Sequence, residues 1–145
     1  FDAGEGGDIW RKRRLISPAL LENNAAAVRA KVSVPMASLG GLLAIAEDVA
    51  HRLDLDVAYT AHAGNGVAQV FLLPRETTVS DATRLALDEL AAAAAGMGGF
   101  LAVEAAPLAL RQDRDPLPPR DDYSLMRTVR TTINPEDTLN PGKVV

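Results

Sequence analysis

The sequence has 145 residues, a formal charge of −4 and no cysteine. It is 48% hydrophobic and 23% charged, with a mean hydropathy of +0.03, a balance that suits one soluble domain able to bury a core. These values exclude a disulfide framework, thiolate catalysis and a cysteine-ligated metal, and the pI near 5.1 argues against a nucleic-acid surface.

The chain opens Phe1-Asp-Ala-Gly-Glu-Gly-Gly7 without a methionine. That reads as the middle of a loop, so a fragment of something longer is expected. No stretch reads as a signal peptide or a membrane span. Residues 8–29 hold a basic amphipathic segment around Trp10, with the cluster Arg11-Lys-Arg-Arg14. Ser17-Pro18 suits an N-cap followed by proline at the first helical position. Lys31-Val-Ser-Val-Pro35 alternates and stops at proline, which predicts a short strand. A helix follows, with Leu39, Leu42, Leu43, Ala46, Val49, Ala50 and Leu53 on one stripe and His51 outside it, as a surface residue.

Val57, Tyr59 and Ala61 then alternate with Ala58, Thr60 and His62, which predicts a second strand. Asn65-Gly66 is the strongest local hairpin signal, because both central positions of a type I′ turn need positive φ. Such a turn would pair His62 with Gln69 across the hairpin and place them side by side on one face. The returning strand, Val67 to Leu73, ends at Pro74. Thr78-Val-Ser-Asp81 suits a capping box for a long alanine-rich helix, with Val79, Ala82, Ala86, Leu90 and Ala93 as its buried stripe. Gly96 and Gly98-Gly99 end that helix, and Phe100–Val103 gives a fourth strand leading into Glu104. The order β-α-β-β-α-β over about 31–104 is the split βαβ pattern of a ferredoxin-like antiparallel sheet with both helices on one face. The fold class is therefore α+β. Residues 111–122 read as a loop, Tyr123 to Ile133 as a last helix stopped by Asn134-Pro135, and Leu139-Asn-Pro-Gly-Lys-Val-Val145 as a turn-rich tail.

Three stretches carry a family resemblance. His62-Ala-Gly-Asn-Gly-Val-Ala-Gln69 resembles a His-x-Gly-Asp-Gly-Asn-x-His motif. Gly98-Gly-Phe-Leu-Ala-Val-Glu104 resembles a Gly-Gly segment that leads to Gly-Glu-His-Gly. Asn134-Pro-Glu-Asp-Thr-Leu-Asn-Pro-Gly-Lys143 resembles Asp-Pro-x-x-x-Leu-Asn-Pro-Gly-Lys. The whole chain is thus similar to the C-terminal domain of FAD-linked oxidases, the group of D-lactate dehydrogenases, D-2-hydroxyglutarate dehydrogenase and glycolate oxidase flavin subunits.

The resemblance implies a cap over FAD bound by another domain of the same parent, which oxidises a small 2-hydroxy acid to the 2-oxo acid. It implies His62 as catalytic residue, with Arg13, Arg14, Gln69 and Glu104 at the substrate and Asn140 and Lys143 toward the cofactor domain. No flavin is expected on this chain alone. The family's metal arm maps to His62, Gln69 and Glu104; an amide is a poor substitute for imidazole, which argues against a divalent metal. Asn65, Val67 and Ala105 are further departures. The single histidine suggests an auxiliary, E-type subunit of a multisubunit glycolate oxidase, with a paralogous flavin subunit and an iron–sulfur subunit as partners. A cytoplasmic location is expected, with any membrane association through those partners. Topology alone also allows a small-molecule-binding regulatory domain. In a plain sheet of this order Glu104 would end far from His62, whereas the resemblance brings them together.

Overall fold

Apolar and polar residues alternate along Val28–Ser33, with Val28, Ala30 and Val32 buried and Arg29, Lys31 and Ser33 half-buried; this segment forms strand β1. It starts three residues before the expected Lys31. The computed structural model describes residues 3–112 and 122–139. Strands β2 (Leu55–His62), β3 (Val67–Pro74) and β4 (Phe100–Ala105) complete one sheet in the order β2-β3-β1-β4, with every neighbouring pair antiparallel. Helices α2 (Leu39–Arg52) and α3 (Asp81–Gly96) make the two crossovers, each skipping one strand. The expected α+β split βαβ sheet is present.

Both crossover helices pack on one face. Leu42, Ala46, Val49 and Ala50 of α2 meet Ala86, Leu87, Leu90 and Ala94 of α3 over the Val28, Ala30, Val32, Val70 and Leu72 side of the sheet. The α2 stripe is as expected. The α3 stripe is rotated, with Thr83, Leu87 and Ala94 buried while Val79, Ala82 and Ala93 stay at its margin. Ser80, not Thr78, caps α3, its Oγ accepting the Thr83 amide at 3.4 Å. The hydroxyls of Ser80 and fully buried Thr83 also lie 3.3 Å apart, so the cap satisfies the Thr83 side chain as well.

The opposite face is crossed by α1 (Ala3–Glu22), which runs through Pro18 instead of restarting there. Proline lacks the amide that would bond the Arg14 carbonyl, yet this costs the helix one bond and not its continuity. Two contacts fix α1 to the sheet. The Arg29 guanidinium donates to Ser17 Oγ at 2.6 Å, and Arg13 lies 2.6 Å from His62. Phe71 sits beside Arg29 in register, on the face away from α2 and α3, and is fully buried. The Arg29–Ser17 contact brings α1 to this side of the sheet.

The hairpin differs from the expected two-residue turn. Ala63–Asn65 form a 3-10 turn and Gly66 adopts φ +70 with ψ 21, while Asn65 keeps negative φ and its Oδ1 accepts the Val67 amide at 3.3 Å. The strands therefore pair His62 with Val67 and Thr60 with Gln69. A non-local contact sets this register. The Val34 amide donates to the Gly66 carbonyl at 3.0 Å, and a Cβ on Gly66 would stand 1.9 Å from the Val34 oxygen. Gly99 meets the same segment from the β4 side, where a Cβ would lie 2.1 Å from the Ser33 oxygen. The Val34-Pro35 exit from β1 is thus clamped between two glycines.

After β4 come α4 (Leu108–Gln112), a short helix whose last two residues fall in the stretch expected as loop, and α5 (Tyr123–Ile133), whose bounds match expectation. Residues 113–121 of that loop lie outside the described residues, as do Asn140, Lys143 and the rest of the tail from 140 on. No helix among the described residues is long and apolar enough to cross a membrane.

Candidate functional site

The open sheet face beneath α1 collects most of the residues singled out in the sequence, but in two groups. The first is Arg13 with His62. Guanidinium has no acceptor, so the 2.6 Å contact from Arg13 Nη2 makes His62 Nε2 the acceptor and puts the imidazole proton on Nδ1. The Arg13 guanidinium also lies 5.1 Å from the centroid of the Trp10 ring, a cation–π contact within α1. All three residues are exposed. Arg14 is exposed and has no polar contact among the described residues.

The second group centres on Glu104. The pairing of β1 with β4 slips between Arg29 and Ala30, so that Val103 faces Ala30, Ala105 faces Arg29, and Glu104 is the unpaired residue of a bulge. Its carboxylate lies 3.2 Å from Arg29 Nε, and Oε2 accepts from Gln69 Nε2 at 3.2 Å. The Arg29 ion pair lacks hydrogen-bond geometry, so its buried Nε–H has no acceptor. The strand thus extends through Glu104, where the sequence suggested it stopped at Val103.

Gln69 therefore binds Glu104 and not His62, which corrects the expected His62–Gln69 pair. The physical cause is the four-residue hairpin connection, which moves His62 two positions along the ladder. His62 and Glu104 do share a face. They are separated by three strand spacings and two pleats, on the order of 20 Å between Cα atoms at ideal sheet dimensions. Among the described residues, no three His, Asp or Glu side chains gather as a metal site would require. The donor set here is one imidazole in one group and one carboxylate with an amide in the other, which does not fit a divalent ion.

Arg29, Ser17 and Lys31 are the members the sequence reading missed. The apolar–polar alternation of Val28–Ser33 was the available signal for Arg29 and Lys31, whereas nothing local marks Ser17. Lys31 lies between Gln69 and Ala102 in register and is half-buried. At the far end of the sheet, Glu47, His51, Asp54, Asp56 and Arg75 line an open depression of about 260 Å³. Its acids are committed: Tyr59 donates to Glu47 at 2.9 Å, and Arg75 pairs with Asp54 and Asp56 at 2.9 and 3.5 Å.

The chain belongs to the family described as FAD linked oxidases, C-terminal domain, which matches residues 2–104. Membership makes it part of an FAD-linked oxidase, a flavoprotein oxidoreductase whose FAD-binding domain lies elsewhere in the parent. A comparison with curated proteins finds no match.

Proposed function

We propose that this domain forms the substrate side of a flavin site at which a small 2-hydroxy acid is oxidised to the 2-oxo acid. The observation that carries this reading is the Arg13–His62 pair on the open face, a carboxylate binder held against a base. FAD, when bound, takes up the two electrons and the hydrogen from C2. The residues present fit the edge of such a ring system: half-buried Thr60, Val67 and Phe100 offer low, partly apolar surface on the same sheet face. Asn140 and Lys143 remain proposed contacts to the flavin-binding domain.

The chain's own chemistry follows from the tautomer. With Arg13 donating into Nε2, the lone pair that would accept the substrate hydroxyl proton is engaged. A substrate carboxylate competes for the guanidinium, because a charge-assisted bond is stronger than one to a neutral ring. Moving Arg13 to the carboxylate frees Nε2 to take the hydroxyl proton as the C2 hydrogen leaves. The carboxylate then also compensates the imidazolium that forms. Arg29 and Ser17 hold α1, and so Arg13, in position; Glu104 is fixed by Arg29 and Gln69. Arg14 remains a proposed outer contact for the acid.

The test uses the flavin-loaded parent. His62→Ala is expected to slow flavin reduction by 2-hydroxy acids about a hundredfold or more, the contribution of one general base. Arg13→Met is expected chiefly to raise KM. Unchanged turnover in His62→Ala would end the direct role for His62.

One observation favours a second reading, a non-catalytic auxiliary subunit of a multisubunit glycolate oxidase with paralogous flavin and iron–sulfur partners. Gln69 and Glu104, two positions of the family's metal arm, bind each other. On that reading the parent shows no turnover alone, yet its partner subunits lose assembly without it.

A further inference from the structure

The two edges of the sheet differ. Strand β4 is six residues long and carries the bulge at Glu104, which twists its outer edge away from further pairing. Strand β2 is eight residues long, pairs with β3 along its whole length without a shift, and contains neither lysine nor proline. Among the described residues, nothing pairs with its outer edge. The ladder fixes which backbone groups lie there. The Val34 amide donates to the Gly66 carbonyl across the Ser33–Val67 pair, so Val67 directs its own amide and carbonyl toward β2. Val67 pairs with His62. His62, Thr60, Ala58 and Asp56 therefore bond inward to β3, while Val57, Tyr59 and Ala61 hold their amides and carbonyls out at the free edge. An open row of this kind is a template for another strand.

The side chains of β2 say which strand. Its one carboxylate, Asp56, and its one imidazole, His62, stand equally far on either side of Tyr59. A twofold axis through an antiparallel pair centred on Tyr59 sets Asp56 of each strand opposite His62 of the other. Both lie on the open face, since Leu55 and Val57 point into the core. They form a non-hydrogen-bonded pair, the closer kind, at about 4.5 Å between Cα atoms. Asp56 engages Arg75 through Oδ1 alone, at 3.5 Å, which leaves Oδ2. The His62 Nδ1–H has no acceptor among the described residues, its Nε2 being taken by Arg13. Acceptor and donor are thus complementary across the axis. On the helix face, exposed Tyr59 meets its own copy, and Val57 meets Ala61 without bulk to hold the strands apart. We infer that the outer edge of β2 is the contact surface for a second copy of this chain, the two four-stranded sheets joining into one about Tyr59. Asp56 of the second copy then stands beside His62 of the first.

The pairing does not rest on the oxidase reading and is measured without turnover. Sedimentation velocity of the flavin-loaded parent, at micromolar concentrations, compares wild type with Ala61→Pro, Asp56→Lys and the exchanged pair Asp56→Lys with His62→Glu. Proline at position 61 removes an outward amide and no bond to β3. Lysine at position 56 replaces the acceptor for His62 with a donor, and each change acts twice in a twofold dimer. The expected result is a dimer whose dissociation constant rises about tenfold or more in each single variant and returns to within about threefold of wild type in the exchanged pair. If Ala61→Pro fails to load flavin, Asp56→Lys and its rescue decide alone. A wild-type parent that stays monomeric overturns the inference, and slow exchange of the Val57, Tyr59 and Ala61 amides in that monomer gives the edge to another strand of the parent. A dimer that Asp56→Lys leaves unmoved overturns it as well.

Discussion

Replacing Gly66 by alanine tests how the hairpin that presents His62 is held. Gly66 sits at φ +70, and its added Cβ would lie 1.9 Å from the Val34 carbonyl oxygen, far inside van der Waals contact. The left-handed conformation costs an alanine about 1–2 kcal/mol. Relieving the contact must move the turn or the Val34 segment, which puts the 3.0 Å bond from the Val34 amide to the Gly66 carbonyl at risk, worth about 1 kcal/mol. Overpacking against backbone adds about 1–3 kcal/mol. The expected loss for Gly66→Ala is therefore about 3–6 kcal/mol, a large part of an ordinary domain's stability. Gly64 is the control in the same turn, since a Cβ added there would meet no atom within 4 Å and its φ is ordinary. Gly64→Ala should stay within about 0.5 kcal/mol of wild type. Urea unfolding followed by far-ultraviolet circular dichroism, with Trp10 fluorescence as a second probe, gives both values. A loss below about 1 kcal/mol in Gly66→Ala, or an equal loss in Gly64→Ala, would refute the clamp on Val34.

Two further outcomes follow from the structure. Phe71→Ala empties a fully buried site on the α1 face and should cost about 3–5 kcal/mol; it should also raise amide exchange along residues 8–22, and unchanged exchange there would show that α1 is not what covers Phe71. The Tyr59 phenol is held above its ordinary value of 10.0 by its hydrogen bond to Glu47 and by that carboxylate's charge. Because the folded value is the higher one, the stabilisation from this bond is present below pH 10 and is lost as pH rises through the raised folded value. Ultraviolet titration in a Tyr123→Phe background should show a late phenol transition that moves down in Glu47→Gln.

The element order was legible because period changes mark it: alternation in β1 and β2, a more continuous apolar run in β3, and helical stripes in α2 and α3. Helix α5 was legible to the residue, since Asn134-Pro135 is a local stop. What escaped was set by contacts distant in sequence. The hairpin register follows from Val34 packing on Gly66, which no turn propensity encodes, and it separated His62 from Gln69. The bulge at Glu104 depends on the β1–β4 slip near Arg29. Strand β1 was begun too late because the preceding Ala25-Ala-Ala27 reads equally well as helix, which hid Arg29. The candidate residues His62, Arg13, Gln69 and Glu104 were visible through the family resemblance. Their grouping was not: the two pairs that form, Arg13 with His62 and Gln69 with Glu104, are 49 and 35 positions apart.

The proposed role of this domain is to complete a flavin site for 2-hydroxy acids. Anaerobic mixing of the flavin-loaded parent with such an acid tests it most directly, with absorbance followed and product collected. The expected result is bleaching of the oxidised flavin spectrum, one 2-oxo acid formed per flavin reduced, and slow bleaching in His62→Ala. A spectrum that stays oxidised across a set of 2-hydroxy acids with one and two carboxylates would contradict it.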